Sequence, residues 1–221
     1  MVADTTNTIV QGWFNSVPLP ADARPATGTD GELILWQPST DTLWEFWQLH
    51  KDAGGQWHAA WGGRIDHASL STGVYASHYG ASASSMSLYG GEITVDEMRA
   101  GVINHALAMG VPNTALRFVA PATYTDGKTG GGIPIGTRYQ LDPSINVDSL
   151  GLSRTATIIA KAAQNYGIYV RETSGAVTFY AQDPSNLGSD PWPGLLGGLS
   201  PSQALAGFPF SKLRVIAPPA V

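Results

Sequence analysis

Residues 32–50 read Glu32-Leu-Ile-Leu-Trp-Gln-Pro-Ser-Thr-Asp-Thr-Leu-Trp-Glu-Phe-Trp-Gln-Leu-His50 and carry the clearest fold signal of the chain. Two aromatic-rich apolar runs flank a turn at residues 38–41, and a third run at residues 56–61 follows a second turn, Asp52-Ala-Gly-Gly55. Short runs of aromatic and branched residues bounded by Pro, Gly and Asp are typical of antiparallel strands. The segment therefore predicts an antiparallel meander.

Three short helices are predicted further along the chain. Each begins at a Ser or Thr that can accept hydrogen bonds from free backbone amides, and each is followed by a glycine that ends the helix. The predicted helices run from Thr94 to Ala100, from Ser153 to Tyr166 and from Ser200 to Ala206. The second repeats its apolar residues at steps of three and four, so we expect it to cover a sheet with one face.

The other candidates for regular structure are strands, at residues 102–109, 116–120, 137–141, 167–172 and 176–182. The last two are separated by Thr173-Ser-Gly175 and are predicted to form a hairpin. Strands this numerous need a second sheet to cover their apolar faces. We therefore predict an all-β dominated fold, a two-layer β-sandwich of jelly-roll type with two or three short helices, with a barrel as the alternative.

The chain length fits one domain preceded by a less regular segment. The 221 residues are 43% hydrophobic, which is enough to bury a sizeable core. Residues 1–31 are rich in Thr, Pro, Asp and Ala, and we interpret them as an N-terminal arm and a loop that leads into the domain. Residues 32–221 are predicted to form a single β-sandwich domain with a Pro/Gly-rich loop at residues 184–199.

Composition and charge argue against several classes of function. Twelve Lys and Arg against seventeen Asp and Glu give a net charge of -5, so no basic field exists for nucleic acid or anionic lipid. The absence of cysteine removes disulfides, thiolate metal sites and cysteine nucleophiles. No signal-peptide pattern is seen at the start, and no apolar run approaches the roughly 20 residues of a membrane span. We expect no nucleic-acid partner, no membrane insertion and no cofactor.

The aromatic and charged residues of the meander are the main candidates for ligand binding. Strand alternation puts Glu45 and Trp47 on one face and Trp44 on the other. With Trp61 and Arg64, these residues have the composition of a sugar-binding site, in which rings stack on sugars and charged groups hydrogen-bond to hydroxyls. The alternative is that the aromatic side chains fill the core.

Catalysis is assigned to no residue, although Glu45, Glu97 and His105 are candidates if the protein is an enzyme. Glycoside hydrolysis needs two carboxyl groups about 5 to 9.5 Å apart, and Glu45 with Glu97 could supply them. Each candidate also has a structural interpretation. Glu97 belongs to the capping box of the first predicted helix, Glu45 could form a cross-strand ion pair, and His105 could be a hydrogen-bonded core histidine.

The remaining histidines give weaker indications. His67 and His78 lie with several tyrosines in a long loop at residues 66–91, where a His and a Tyr could act as base and acid in a polysaccharide lyase. None of the five histidines has a recognised metal-ligand spacing, so no metal site is predicted.

Several stretches along the chain together carry a resemblance to a known family. They are Gly28-Thr-Asp-Gly31, Asp41-Thr-Leu-Trp-Glu-Phe-Trp47, Trp61-Gly-Gly-Arg-Ile65, Gly90-Gly-Glu-Ile-Thr94, His105-Ala-Leu107, Gly136-Thr-Arg138, Leu141-Asp-Pro143 and Ile159-Ala-Lys-Ala-Ala-Gln-Asn-Tyr-Gly167. On these residues the chain resembles, from about residue 18 to about residue 215, the minor tail proteins of phages that infect actinobacteria, and it is similar to a wider group of secreted actinobacterial proteins.

The resemblance implies a structural protein of the virion tail, at or near the tail tip, assembled in the host cytoplasm without a signal peptide. Its partners would be other phage tail proteins in a symmetric assembly and the polysaccharide of the host cell surface. The family brings no assigned catalytic residues. Two alternatives stay open: a polysaccharide-degrading enzyme, either a glycoside hydrolase or a lyase, and a passive tail assembly module that docks through its N-terminal arm and residues 184–199.

Overall fold

The computed structural model describes residues 1–216 and has a mainly β fold. Strands make up 27% and helices 21%, which confirms the predicted predominance of β structure. The strands are β1 (Val2–Ala3), β2 (Leu33–Gln37), β3 (Thr42–Trp47), β4 (His50–Lys51), β5 (Trp57–Ala59), β6 (Trp61–Asp66), β7 (Leu107–Val111), β8 (Thr114–Phe118), β9 (Ile133–Ile135), β10 (Arg138–Leu141), β11 (Ile168–Thr173), β12 (Thr178–Phe179) and β13 (Leu213–Ile216).

Five α-helices lie between these strands. They are α1 (Thr8–Phe14), α2 (Val95–Ala100), α3 (Arg154–Asn165), α4 (Trp192–Leu195) and α5 (Pro201–Ala204). The three predicted helices are confirmed as α2, α3 and α5. Their caps form as expected, because Thr94 and Ser200 each complete a capping box and Ser153 accepts a hydrogen bond from the Ala156 amide at 3.0 Å.

The N-terminal region, residues 1–66, contains an antiparallel meander of β2, β3 and β6. The predicted third run at residues 56–61 is not its third strand, because that run forms β5, which pairs with β1 and β4 in a separate small sheet. Strands β2, β3 and β6 pair antiparallel in chain order, with Trp44 of β3 opposite Leu35 of β2 and Arg64 of β6. One face of this sheet packs on α1, and Trp44 and Phe46 meet Val10 and Phe14 of the helix in an aromatic core.

Residues 1–31 were interpreted as an arm, but their first half belongs to this core. The Asn7 side chain accepts hydrogen bonds from the Ile9 and Val10 amides and so begins α1. Val10 and Phe14 are completely buried, and β1 pairs parallel with β5. Only residues 15–31 run as an irregular loop.

The C-terminal region, residues 86–216, is built on a five-stranded mixed sheet in the order β12-β7-β11-β10-β13. Helix α3 packs against β10 through an alanine- and isoleucine-rich face. Its apolar residues recur at helical spacing and are buried together with the apolar side chains of β7 and β11. The region therefore has an aliphatic core of its own.

Two finer predictions of the fold need correction or are not confirmed. The predicted hairpin between residues 167–172 and 176–182 is wrong, because β12 pairs with β7 and not with β11, so β7 lies between them. The two-layer sandwich is not confirmed: the strands form four small sheets of two to five strands, and α3 packs against the largest.

The second face of the meander meets the C-terminal region. Tyr75, in the connecting segment of residues 67–85, packs so closely on β6 that a Cβ at Gly63 would lie 2.4 Å from its ring. Glycine at this position lets the tyrosine cover Glu45 of the neighbouring strand. The cleft described next lies along the same junction.

Candidate ligand-binding cleft

A cleft of about 980 Å³ opens between the N-terminal and C-terminal regions. Strand register places Ile34, Trp36, Leu43 and Ile65 on the meander face that forms its apolar wall. Tyr89 lines it from the C-terminal region. Trp36 and Tyr89 are 53% and 59% exposed, so two aromatic rings are accessible to a ligand.

A strap of residues 20–27 borders the cleft and is tied to residues 183–186. Asn186 accepts a hydrogen bond from the Arg24 amide at 3.0 Å and donates one to the Arg24 carbonyl at 2.7 Å. Asp183 accepts a bond from the Thr27 amide at 3.2 Å. These contacts join segments about 160 positions apart in the chain, so the strap holds the two regions together beside the cleft.

Arg171 lies at the floor of the cleft and is 1% exposed. It is the extra residue of a β-bulge, because Val170 pairs with Met109 and Glu172 with the next residue, Gly110. A bulge leaves one residue outside the regular ladder and re-aims its side chain. The bulge therefore places the positively charged side chain of Arg171, a residue of the central strand, at the junction between the two regions.

The guanidinium of Arg171 has three neighbours. It donates a hydrogen bond to the Leu88 carbonyl at 2.7 Å, lies 3.7 Å from the centre of the Tyr180 ring, and forms a longer ion pair with Glu172 at 3.6 Å. Its buried Nε atom has no hydrogen-bond partner within residues 1–216. The floor of the cleft thus carries a buried charge whose hydrogen bonding is incomplete.

Glu32 and Glu92 line the cleft above this charge, and both are half-buried. In the described part of the chain, neither carboxyl group makes a hydrogen bond or an ion pair. Burial raises the pKa of Glu32 to about 7, with a further contribution from the nearby Glu172 carboxylate, while Arg171 opposes the rise. Burial likewise raises the pKa of Glu92 to about 7. Each group therefore keeps its proton to a higher pH than an exposed glutamate does.

Glu45, a predicted ligand-binding and catalytic candidate, is completely buried beneath the cleft. Its Oε1 accepts a hydrogen bond from the Ser87 hydroxyl and another from the Tyr89 amide at 3.3 Å. Within residues 1–216 its Oε2 has no hydrogen-bond partner, and burial, followed by the nearby Glu45 carboxylate, raises the pKa of Tyr75. Burial raises the pKa of Glu45 itself, and the Ser87 bond opposes the rise. Glu45 therefore supports the cleft from below and is not accessible to a ligand.

The other predicted ligand-binding residues lie outside the cleft. Trp44 is 3% exposed, and its indole nitrogen donates to the Trp13 carbonyl at 3.1 Å. Arg64 lies over the Trp44 ring and pairs with Asp66. Trp47 is half-buried and donates its indole hydrogen to Asp30. The structure therefore does not bring these residues into the cleft.

Trp61 belongs to a separate aromatic cluster of Trp13, Trp61, His78, Tyr79 and Tyr124. The rings of Trp61 and Tyr79 are parallel, with centres 5.9 Å apart, and His78 lies between Trp61 and Tyr124 at 5.7 and 6.0 Å. The Trp61 indole donates to the His78 carbonyl at 2.6 Å. His78 and Tyr124 are the exposed members of this cluster.

Glu97 and His105 are brought together, with 2.9 Å between Glu97 Oε1 and His105 Nε2. Glu97 also caps α2 by accepting from the Thr94 amide at 3.0 Å, as the capping box predicts. The His105 ring contacts the Ala106 carbonyl at 2.9 Å and is partly exposed. Neither residue lines the cleft, and Glu45 bonds to other groups. The structure therefore gives no Glu45–Glu97 contact.

Sequence analysis missed Glu32, Glu92, Arg171 and Tyr180. One signal was present: Arg171 and Glu172 are adjacent charges inside the otherwise apolar and β-branched strand from Ile168 to Thr173. A charge in a central strand is rare unless it is paired, so this position invites a search for buried partners. Glu32 and Glu92 had no comparable signal, because each lies beside a strand or helix where a solvated acid is ordinary.

Comparison with known protein families, with curated proteins and with solved structures found no match to this chain. Within residues 1–216, no group of three or more His, Asp or Glu side chains is arranged to hold a metal ion. None of the helices in that range is long and apolar enough to cross a bilayer.

Proposed function

We propose that the protein is a minor structural protein of a phage tail, at or near its tip, and that it binds the polysaccharide of the host cell envelope in the cleft. The observation that carries the proposal is the pairing of exposed Trp36 and Tyr89 with the carboxyl groups of Glu32 and Glu92 in one open cleft.

The chemistry of the cleft suits a sugar chain. Aromatic rings stack on the apolar faces of sugars, while a few carboxyl groups fix the hydroxyls by hydrogen bonds. The wall formed by Ile34, Leu43 and Ile65 supplies additional apolar surface. A volume of about 980 Å³ accommodates a short stretch of a polymer, and the open shape suits a chain that continues beyond the protein.

The resemblance to actinobacteriophage tail proteins supports the proposal through particular residues. Two of the stretches that carry it, Trp61-Gly-Gly-Arg-Ile65 and Gly90-Gly-Glu-Ile-Thr94, include Ile65 and Glu92, which line the cleft. Other tail proteins in a symmetric assembly would be the structural partners, and the virion tail the location.

Sedimentation with isolated actinobacterial envelope polysaccharide tests this function. We expect the wild-type protein to pellet with the polysaccharide, and the Trp36→Ala and Tyr89→Ala variants each to bind about 3- to 10-fold more weakly, because each loses one stacking ring. Tyr124→Ala is the matched control, since Tyr124 is 45% exposed but lies outside the cleft. Equal retention of all four proteins would overturn the assignment to the cleft.

The alternative enzyme function has one specific observation in its favour. The pKa of about 7 for both Glu32 and Glu92 is near the value that suits a general acid or base at neutral pH. The same sedimentation assay distinguishes an enzyme from a binding protein, because hydrolysis or elimination releases oligosaccharide into the supernatant. Release that is lost in Glu32→Gln would make the protein a polysaccharide-degrading enzyme, and absence of any retention would favour a passive assembly module.

A further inference from the structure

The carboxyl groups of Glu32 and Glu92 differ from the acidic side chains of the loops. Asp52 and Asp142 accept hydrogen bonds from nearby backbone amides, and Asp41 accepts one from the Ser69 hydroxyl; these bonds hold the pKa values of the three aspartates below the ordinary range. Glu32 and Glu92 have no such bond within residues 1–216, yet they are half-buried. Desolvation of a carboxyl group without compensation costs free energy, and a ligand with matching donors would recover it.

The charge balance of the cleft points to the kind of donor. Arg171 is within electrostatic reach of the carboxyl groups of Glu32, Glu45, Glu92 and Glu172, so up to four acids surround a single cation. The guanidinium is already engaged by Glu172, the Leu88 carbonyl and the Tyr180 ring. A second positive charge is therefore what the cleft lacks.

We propose that the cleft selects sugar chains that carry free amino groups, with Glu32 and Glu92 accepting hydrogen bonds from the sugar ammonium groups. This inference rests on the proposed function and names the substrate class of that site. An ammonium group is a compact cation with three donors, so it satisfies a carboxylate at a single contact. The rings of Trp36 and Tyr89 then favour a pyranose that bears the amine over a flexible lysine side chain.

Binding of an ammonium group also has a proton signature. Because burial raises the pKa of both free carboxyl groups to about 7, they hold their protons at a slightly acidic pH, and a ligand that is already an ammonium ion in solution and requires them ionised drives those protons out of the cleft. A neutral sugar that binds by stacking alone releases none. The number of protons released therefore separates ammonium recognition from ordinary sugar stacking.

Isothermal titration calorimetry of the full chain at pH 6, where the sugar amino groups are mostly protonated in solution, in two buffers of different ionisation enthalpy, tests the proposal. The probes are the tetramer of glucosamine, which carries free amino groups, the tetramer of N-acetylglucosamine, and trilysine. We expect the glucosamine tetramer to bind at least 10-fold more tightly than the other two, with proton release. Glu32→Gln and Glu92→Gln should each weaken it about 5-fold or more and reduce that release.

Asp96→Asn is the matched control, because Asp96 is a fully exposed acid outside the cleft, and it should bind like the wild type. Equal binding of the two sugar tetramers would overturn the amino-group selectivity while leaving polysaccharide binding intact. Equal binding of trilysine would overturn the choice of a sugar. If no tetramer binds, the inference fails, and sedimentation with the envelope polysaccharide still decides the proposed function separately.

Discussion

The N-terminal and C-terminal regions are stabilised by cores of different kinds. The N-terminal core has seven buried residues, three of them aromatic, between a three-stranded meander and one short helix. The C-terminal core has nineteen buried residues, of which Phe208 is the sole aromatic, and it is formed by a five-stranded sheet with α3. Large rings fill a small sheet efficiently, whereas a helix on a sheet is packed with Ala and Ile.

A comparison of the two cores shows where this fold accommodates buried charged side chains. Within residues 1–216, two charged side chains are fully buried, Glu45 and Arg171, and both lie where the regions meet. Each belongs to a strand of one region and bonds to residues of the segment from Ser87 to Tyr89. Both regions thus contribute to the polar site, which lies outside their two hydrophobic cores.

The largest effect is expected from deleting one ring of the small core. Phe46→Ala leaves a cavity that the neighbouring Phe14 and Trp44 cannot fill, so we expect a loss of about 3–5 kcal/mol in the free energy of unfolding. Ile168→Ala, a fully buried residue of the larger core, should cost about 2–5 kcal/mol. Denaturant unfolding measures both, with Leu116→Ala, at a 67% exposed position, as the control.

The same experiment decides whether the two regions unfold together. Six of the seven tryptophans lie in the N-terminal region, so tryptophan fluorescence reports mainly on that core, while far-UV circular dichroism reports on α3. Because the buried Glu45 and the strap link the regions, we expect the two transitions to coincide in the wild type and in Phe46→Ala. A fluorescence transition that moves alone would show two independent units.

The second-largest effect is a dependence of the free energy of unfolding on pH, caused by Glu32 and Glu92 at the junction of the two regions. The pKa values of Glu32 and Glu92 rise from 4.5 to about 7 on folding, so between these pH values the folded protein holds protons that the unfolded chain releases. The free energy of unfolding should therefore fall as the pH rises from 4.5 to 7, and this loss should level off above 7.

The double variant Glu32→Gln/Glu92→Gln removes both titrations. From pH 4.5 to 8 we expect the wild type to lose about 2–4 kcal/mol more than this variant, as followed by denaturant unfolding at each pH. The loop aspartates are common to both proteins and cancel in the difference. Parallel stability profiles for the two proteins would contradict burial as the cause of the shifts.

The smallest effect compares equivalent caps in the two regions. Asn7 caps α1 and Ser153 caps α3, and each side chain accepts bonds from backbone amides of the first helical turn. Asn7→Ala and Ser153→Ala should each cost about 1 kcal/mol. A much larger loss for Ser153→Ala would indicate that its second bond, to the Ala204 carbonyl, also ties α5 to α3.

The local features of the fold were predictable from the sequence, because their causes are local. Thr94 with Glu97 and Ser153 with Gly167 define helices through contacts within a few residues, and the turn at residues 38–41 sets the pairing of β2 with β3. Helix α1 was missed although Asn7 is a good cap, since its seven residues are too few to show a clear period.

The site was not predictable, because it depends on contacts distant in the chain. Alternation correctly separated Glu45 from Trp44, yet nothing near Glu45 indicates that Tyr75 and Ser87 cover that face. The pairing of β12 with β7 is equally non-local, and a short glycine link after β11 gave the wrong partner. Sequence patterns predict which residues share one face of a strand or helix. Which faces pack together depends on the assembled fold.

The β-bulge at Arg171 has a consequence for how the buried cation of the cleft could be gained or lost in evolution. Val170 and Glu172 pair with consecutive residues of β7, so removing codon 171 would leave the ladder continuous on both sides. The cation of the cleft floor is therefore gained or lost by a one-residue insertion or deletion, without disturbing the aliphatic core. A chain with one residue fewer at this point of β11 is therefore expected to keep the sheet and to lack this cation.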